Sequence, residues 1–294
     1  MILMTTQTSK DGRERGSGQL GDARPVHAHR DMPTGAAGNG QADSTGQYRV
    51  MELKPTPTDV RAALDRVGYI HCPGVLDAGL LAQVRADFDR VWAAQPTGTG
   101  KVSQHVLLAE PSFRALVTHP AILDRHRALF GAQTQLLALD LLRQGPDSQF
   151  TRFWHRDFGF PGDHLLAANT LLYLDDIDEV SGPTYVVPGT HRGTAHPPTG
   201  QEGASLPGEV AIHARAGDAA IINAAIWHTG GRNRGPGLRR AIYLYFGWWW
   251  LKPYDLDRGP LPAVAVDGAS DELLKLLGQR MPGSDLHMYA DPQA

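Results

Sequence analysis

Hydrophobic residues recur along the chain with two different periods, first at helical spacing and then in short runs typical of strands. After Asp77, apolar side chains come at intervals of three and four residues, which predicts an amphipathic helix capped by the Asp77 carboxylate. The residues of this stripe are Leu80, Leu81, Val84, Phe88 and Val91. Thr58 is predicted to cap an earlier helix, residues 68–76 to form a strand and turn, and residues 111–130 to form another helix or helix pair.

From about residue 133 the pattern changes to short hydrophobic runs separated by Gly, Pro, Asp and Asn turns. The predicted strands are residues 133–142, 149–155, 168–175, 183–188, 209–213, 218–223 and 239–248. Runs of this kind without long helices between them favour an antiparallel sandwich or barrel over a parallel sheet. With a last helix predicted near residues 271–280, the fold class is expected to be mainly β with flanking helices.

Residues 1–48 differ in composition from the rest of the chain. They are rich in Gly, Ser, Thr, Asp, Gln and Arg, and they contain no aromatic residue before Tyr48. Because such a segment cannot bury enough apolar surface to offset the entropy of ordering it, we expect a disordered arm, or else an arm that folds on a partner. The rest is expected to be one domain, residues 49–294. Its parts would be a helical region (54–131), a β-core (132–250) and a helical tail (251–294).

Charge and cysteine content narrow the class of protein. The 294 residues carry a formal net charge of −3, and no basic surplus indicates nucleic acid or a membrane surface as a partner. A single cysteine, Cys72, excludes an internal disulfide framework and a cysteine-rich zinc site. No hydrophobic run approaches the roughly 18 residues that a membrane helix needs. We therefore expect a cytoplasmic protein.

Residues 155–159 read His-Arg-Asp-Phe-Gly, which contains the letters of two protein-kinase motifs. A kinase carries these motifs as separate segments, and it has an Asn where this chain has Gly162. Asp157 would have to serve in both motifs, and no glycine-rich nucleotide loop precedes them. The sequence therefore argues against a kinase.

His155 and Asp157 are two residues apart, a spacing that places both side chains on the same face of a strand. An imidazole and a carboxylate side by side offer two ligands to a metal ion. A ferrous ion used in oxygen chemistry takes two histidines and one carboxylate on one face and keeps its other positions open. The pattern therefore calls for a second histidine from elsewhere in the chain.

Two histidines in the β-rich part are candidates for this second ligand. His228 follows the hydrophobic run 218–223, whereas His191 follows a Pro-Gly turn and is expected in a loop. The pattern favours His228 and keeps His191 as the alternative.

An arginine eleven residues after His228 fits the same chemistry. Arg239 follows a glycine-rich loop that would return the chain beside the strand bearing His228. A guanidinium there can hold a carboxylate through two parallel hydrogen bonds, and a ferrous site of this kind needs a reductant with a carboxylate tail. Arg240 is adjacent, and strand parity alone does not choose between the two arginines.

Four motifs follow one another in a characteristic order. They are Trp154-His155-Arg156-Asp157, residues 181–192 (Ser-Gly-Pro-Thr-Tyr-Val-Val-Pro-Gly-Thr-His-Arg), residues 216–218 leading to Trp227-His228, and Asn233 six residues before Arg239. In these motifs the chain resembles the phytanoyl-CoA dioxygenase family of Fe(II)- and 2-oxoglutarate-dependent oxygenases. The resemblance extends over roughly residues 54–255.

The resemblance implies both a fold and a set of site residues. The fold would be a double-stranded β-helix, the jelly roll of cupin-like proteins, with iron at its open end. His155, Asp157 and His228 would be the metal ligands. Arg239 would bind the distal carboxylate of 2-oxoglutarate, and Thr184 would help to hold this cosubstrate. Fe(II), 2-oxoglutarate and dioxygen are the cofactors that the resemblance implies.

The implied reaction is oxidation of a small molecule, most simply hydroxylation of an unactivated C–H bond with release of succinate and CO2. Asp157 argues for hydroxylation, desaturation or ring formation over halogenation, because halogenases of the family replace this carboxylate with a small residue. The Asn233 spacing favours Arg239 over Arg240, and Arg152 stands where many relatives carry Gln. By analogy the substrate is expected to be a natural product or another specialised metabolite, with no nucleic-acid or membrane partner.

Two other classes of function are compatible with the sequence. A cupin-like metal enzyme without 2-oxoglutarate would use similar ligands and would not need Arg239. A non-catalytic β-sandwich binding protein would tolerate loss of Asp157 and would show no dependence on metal. The spacing from His228 to Arg239 favours the oxygenase.

Overall fold

The computed structural model describes residues 57–146, 148–157, 164–200, 202–253 and 260–282. The expected N-terminal arm, residues 1–48, lies outside the described residues, as does the end of the expected C-terminal tail. The described chain begins with helices, continues through an antiparallel β-core and ends with two short helices. None of the helices in these ranges is long and apolar enough to cross a lipid bilayer.

The helices follow the predicted order, and the residues at their starts explain where two of them begin. Their bounds are α1 (Pro57–Arg66), α2 (Ala78–Ala93), α3 (Gln104–Leu107), α4 (Pro111–Val117), α5 (Pro120–Phe130), α6 (Ala263–Val266) and α7 (Asp271–Leu276). The predicted cap of α2 is confirmed, because the Asp77 carboxylate accepts a hydrogen bond from the Leu80 N–H at 2.8 Å. The predicted cap at Thr58 is wrong. The helix already begins at Pro57, whose fixed φ and missing N–H suit a first turn.

Residues 111–130 form the helix pair that was one of the two predicted possibilities. Each of the two helices starts at a proline, Pro111 and Pro120. Because proline cannot continue a preceding helix, Pro120 separates α4 from α5. The last helix is shorter than predicted and ends at Leu276.

The β-core consists of two antiparallel sheets within the described residues. The strands are β1 (Tyr69–Cys72), β2 (Lys101–Ser103), β3 (Thr134–Gln144), β4 (Ala167–Tyr173), β5 (Thr184–Val187), β6 (Val210–Ile212), β7 (Ala219–Asn223), β8 (Trp227–Gly230) and β9 (Arg239–Trp248). The larger sheet has the order β1-β7-β4-β9-β3-β2, and the smaller has the order β6-β5-β8. This is the jelly roll expected for the fold class.

One predicted strand is wrong, and two short strands were not predicted. Residues 149–155 are not a strand, because their ladder to β8 consists of a single bridge at His155. Within this segment, a side chain takes the place of a ladder partner, because the Phe153 N–H donates to the Thr229 hydroxyl at 2.8 Å. The strands β2 and β8 contain only three and four residues, too few to show a period in the sequence.

The larger sheet buries both of its faces. On β9, Ile242, Leu244 and Phe246 belong to the core that the sheet shares with the helices. The alternate residues Ala241 and Tyr243 pack in a second core, which includes Val186 of β5 and Ile212 of β6. Residues of the large sheet that share the parity of Ala241 and Tyr243 therefore face the small sheet.

Candidate metal centre

His155, Asp157 and His228 lie together where the segment before β4 meets β8. One ligand atom from each of these side chains lies within 4.8 Å of the other two. Asp157 Oδ1 is 3.6 Å from His155 Nε2 and 3.5 Å from His228 Nε2. The two imidazole rings are 4.2 Å apart between centroids and are tilted by 52°. Two nitrogen atoms and one oxygen atom thus converge on one point.

The backbone explains why these three side chains converge. His155 and His228 exchange both main-chain hydrogen bonds at 3.0 Å, as directly opposed residues of an antiparallel pair do. Two residues further on, the Asp157 N–H donates to the Ala224 carbonyl at 2.9 Å. Both contacts are main-chain contacts, so they fix the segment against the β7–β8 connection whatever its side chains are.

Hydrogen bonds to the backbone also set the proton position on both rings. His155 Nδ1 lies 2.9 Å from the Phe153 carbonyl, and His228 Nδ1 lies 3.1 Å from the Ile226 carbonyl. Since a carbonyl can only accept, Nδ1 carries a proton on each ring, and each ring in its neutral form presents its lone pair at Nε2. Two such nitrogens beside a carboxylate fit a divalent transition-metal ion, and the carbonyls play the orienting role common around metal-bound histidines.

The electrostatics favour ligand-competent protonation states for Asp157 and His155. Burial raises the pKa of Asp157, but nearby His228, His155 and Asn169 outweigh burial, so the carboxyl pKa lies below its ordinary value. Burial, assisted by the neighbouring His228, lowers the pKa of His155 to about 4. For His228, burial lowers the pKa, but the neighbouring Asp157 raises the pKa by more than burial lowers it. The net shift of the His228 pKa is therefore upward. An ionised carboxylate and a neutral His155 are what metal coordination requires.

Arg239 forms a second polar group close to the three candidate ligands. Its side chain is buried, and Nε donates to the Gly182 carbonyl at 2.9 Å while Nη2 lies 3.5 Å from the Thr184 hydroxyl. The Tyr173 hydroxyl donates to Thr184 at 3.2 Å. Burial lowers the pKa of Arg239, but Tyr243 and Tyr173 raise it more, so the guanidinium stays charged.

Strand register shows how close Thr184, the hydroxyl partner of Arg239, lies to His228. Thr184 of β5 pairs with Gly230 of β8, and Val186 pairs with His228. Thr184 therefore lies two residues along β5 from Val186, the residue opposite His228, and on the same face of the sheet. Two residues of a strand span roughly 7 Å.

The two alternatives left open by the sequence lie elsewhere. Arg240 points away from the site and forms ion pairs with Asp175 and Asp89, both at 2.7 Å. His191 is buried in a 3₁₀ turn, where Nε2 lies 3.2 Å from the Asp65 carbonyl. Neither residue joins the group of candidate ligands.

Arg152, the departure from the family pattern, does not point at the candidate ligands. It bonds to Glu209 at 2.9 Å, and its guanidinium carbon lies 3.6 Å from the centroid of the Tyr185 ring. Tyr185 alternates with Thr184 and Val186 on β5, so this contact lies on the outer face of the small sheet.

Two residues beside the site were not predicted. Asn169 of β4 directs Nδ2 towards Asp157 Oδ2 at 3.5 Å. Phe153 is 61% exposed, and its ring lies 5.8 Å from the His155 ring at an interplanar angle of 21°. Phe153 could have been found from its spacing two residues before His155. Asn169 could not, because its contact depends on how distant strands assemble.

A jelly roll with two histidines and a carboxylate at the edge of its smaller sheet is the architecture of mononuclear non-haem metal enzymes. The chain belongs to the phytanoyl-CoA dioxygenase (PhyH) family, whose model matches residues 64–241. That match includes all three candidate ligands and Arg239.

Individual relatives agree with this family membership. Dioxygenase af480 of Aspergillus fumigatus is 24% identical over 80% of this chain and 81% of its own. The structure of the epimerase SnoN in complex with Fe3+, alpha ketoglutarate and nogalamycin RO has a TM-score of 0.57 and 26% identity. That likeness covers 73% of this chain and 93% of SnoN. HygX of Streptomyces hygroscopicus, with 20% identity over 67% of this chain and 89% of its own and a TM-score of 0.57, shares the fold.

Proposed function

We propose that the protein is an Fe(II)- and 2-oxoglutarate-dependent oxygenase that hydroxylates a C–H bond of a small molecule. His155, Asp157 and His228 hold the iron, and Arg239 with Thr184 binds the distal carboxylate of 2-oxoglutarate. The observation that carries the proposal is the convergence of two Nε2 atoms and one carboxylate oxygen within 4.8 Å. A ligand set of this kind leaves the remaining metal positions open for cosubstrate and oxygen.

The surroundings of Arg239 support the use of a carboxylate cosubstrate. Its hydrogen-bond partners include the Gly182 carbonyl, the Thr184 hydroxyl and the Tyr243 side chain, and none of these is a carboxylate. Taking a guanidinium out of water is costly without an anionic partner. A bound carboxylate would provide that partner, and the planar guanidinium suits two parallel hydrogen bonds to it.

Iron and 2-oxoglutarate, when bound, would allow dioxygen to serve as the oxidant, with one oxygen atom going to succinate as CO2 is released and the other going to the substrate. The protein's own residues position the reactants. The backbone carbonyls of Phe153 and Ile226 hold the two imidazoles in the metal-binding tautomer. The exposed Phe153 ring beside His155 offers an apolar surface for a small-molecule substrate.

The relatives support a small molecule as the substrate and leave the outcome of the oxidation to be measured. SnoN is described as an epimerase bound to nogalamycin RO, and SnoK, a further relative in fold, as a carbocyclase. We propose hydroxylation because it needs no substrate group beyond one C–H bond. Product analysis by mass spectrometry decides this, since hydroxylation adds one oxygen atom and epimerisation leaves the mass unchanged.

Anaerobic titration tests the site. Ferrous ion and then 2-oxoglutarate are added to metal-free protein while the visible spectrum is recorded. We expect a metal-to-ligand charge-transfer band in the wild type, no band in Asp157→Ala, and a band that needs more 2-oxoglutarate in Arg239→Ala. Arg240→Ala is the matched control, because this neighbouring arginine faces away from the site. Iron binding without any band would favour a cupin-like enzyme that does not use 2-oxoglutarate, and no iron binding at all would leave a binding protein.

A further inference from the structure

The candidate ligands come from two segments that are far apart in sequence, residues 155–157 and the start of β8. Within the described residues the first segment meets β8 through one β-bridge and one bond from the Phe153 N–H to the Thr229 hydroxyl, and the Asp157 N–H bonds to Ala224 in the connection before β8. An isolated bridge is a short ladder, so additional contacts are needed to hold the two segments at a fixed distance.

Thr190 contacts both ligand-bearing segments at once. Its hydroxyl accepts a hydrogen bond from the Trp227 N–H at 2.9 Å, one residue before His228. Its carbonyl accepts a hydrogen bond from Arg156 Nη2 at 2.8 Å, and Arg156 lies between the ligands His155 and Asp157. The hydroxyl also donates to the Val187 carbonyl at 2.7 Å, which fixes its orientation.

The turn that carries Thr190 is itself fixed to the start of the domain. His191 Nε2 and Arg192 Nε both reach the Asp65 carbonyl, at 3.2 Å and 2.8 Å. The Gly189 N–H donates to the Val67 carbonyl at 3.1 Å. The turn is therefore anchored to the end of α1 by side chains and by the backbone.

We propose that Thr190 is a positioning residue, which holds His228 at the correct distance from His155 and Asp157. The inference rests on the proposed function only in assigning a metal to these residues. The hydroxyl sets the position of β8 through Trp227, and the carbonyl sets the position of the opposite segment through Arg156. Both bonds originate in one residue, so a shift of the turn would move both ligand segments.

A matched pair of variants separates this role from general stability. Thr190→Val removes the hydroxyl and keeps the shape, and Thr190→Ser restores the hydroxyl. Thr134→Val is the control, because the Thr134 hydroxyl also donates at 2.7 Å to the carbonyl three residues earlier. Thr134 begins β3, where it pairs with Trp248, and neither this pairing nor its bond to Gly131 involves the ligand segments. Both Val variants are expected to lower the denaturant midpoint of unfolding, and Thr190→Val by more, because the Thr190 hydroxyl makes two hydrogen bonds and the Thr134 hydroxyl makes one.

Two readouts report on the ligands themselves. The first is nitrogen NMR of the His155 and His228 rings in metal-free protein. The second is the Co(II) absorption spectrum and dissociation constant. We expect Thr190→Val to shift the ring signals and weaken Co(II) binding about 10-fold, as loss of an orienting contact does. Thr190→Ser should restore both readouts, and Thr134→Val should leave them unchanged.

The outcomes separate this proposal from the proposed function. If Thr190→Val shifts the ring signals while the wild type binds no metal, the positioning role stands and the proposed function fails. If Thr190→Val and Thr134→Val behave alike in both the ring signals and the Co(II) affinity, the positioning role is overturned.

Discussion

At the scale of single residues, the candidate site depends on groups that orient the ligands as much as on the ligands. Each imidazole bonds to the carbonyl two residues before it, so the chain that carries the ligand also fixes its ring. Asp157 is oriented differently, by its main-chain bond to Ala224 and by the side chain of Asn169. The carboxylate therefore relies on a residue from another strand.

Replacing Asn169 should weaken metal binding without unfolding the protein. Asn169→Ala removes the amide that approaches Asp157 Oδ2 at 3.5 Å. We expect Fe(II) affinity, measured anaerobically by calorimetry, to fall about 10-fold, at the low end for an outer-shell partner because the bond is long. Thr170→Val, next along β4 and bonded to His126 on the opposite face, is the control. Equal affinities in Asn169→Ala and wild type would show that Asn169 does not orient Asp157.

A second residue-scale prediction concerns acid stability and His126. Its ring is fully buried, stacks on Phe130, packs at a tilt of 37° against Phe246, and bonds to the Thr170 hydroxyl at 2.7 Å. Burial lowers the pKa of His126 to about 3, whereas the unfolded chain takes up this proton near pH 6.5. The unfolded state therefore binds more protons between these values, and stability falls as the pH falls.

The expected loss for His126 is about 1.4 kcal/mol per pH unit once the pH is well below 6.5. Denaturant unfolding at pH 7, 6, 5 and 4 measures it. His126→Gln keeps a hydrogen-bonding partner for Thr170 and does not titrate, so its unfolding free energy should depend less steeply on pH. Parallel curves for the variant and the wild type would assign the acid sensitivity to other groups.

At the scale of elements, the connection between α1 and β1 supports the turn that carries Thr190. Gly68 lies in this connection with φ +88°, and a Cβ there would come within 2.6 Å of His191 Nδ1 and 2.9 Å of Ile226 Cδ1. Glycine is needed at this position both for its backbone conformation and for the space that His191 occupies.

Gly68→Ala should therefore destabilise the protein more than a glycine replacement that meets only backbone strain. Gly74 provides that control, with φ +61° and no atom within 4 Å of its ideal Cβ. We expect Gly74→Ala to cost about 1 kcal/mol from the left-handed conformation, and Gly68→Ala to cost roughly 1–3 kcal/mol more from overpacking. Chemical denaturation of both variants tests this, and equal losses would mean that the His191 contact relaxes freely.

An element can be predicted from the sequence when its signal is a local pattern, and not when it depends on contacts between distant strands. The α2 stripe and its Asp77 cap are local patterns, and the structure confirms the cap. β8 is too short to show a period, and residues 149–155 show an alternation without a full strand partner. Strand parity alone left Arg239 and Arg240 undecided, because the burial of one face follows from the neighbouring strands β3 and β4.

The same distinction applies to the candidate site. The His155 and Asp157 pair is visible as a spacing of two residues. The proximity of His228 depends on a bridge between segments more than 70 residues apart, and that of Asn169 on the packing of β4. The sequence motifs pointed to His228, but no sequence pattern pointed to Asn169.

At the scale of the whole molecule, the jelly roll serves as a frame whose two sheets contribute different parts of the candidate site. The smaller sheet carries His228 and Thr184, and the larger sheet carries Arg239 and Asn169. His155 and Asp157 lie on the segment before β4, which meets β8 through the bridge between His155 and His228. A ligand held by all three parts would therefore link them, and its binding free energy would add to the stability of the fold.

Stepwise ligand addition should show this linkage as thermal stabilisation. A ligand at 100 times its dissociation constant adds about 2.7 kcal/mol, which for a domain of this size raises Tm by roughly 5–10 °C. We expect one increase with Fe(II) under anaerobic conditions and a second when 2-oxoglutarate follows, measured by calorimetry. Asp157→Ala should lose both increases, because the cosubstrate would be held through the metal that Asp157 would bind. Arg239→Ala should keep the first and lose most of the second. A full second increase in Arg239→Ala would place the cosubstrate carboxylate elsewhere, and an increase with 2-oxoglutarate alone would mean that Arg239 binds it without the metal.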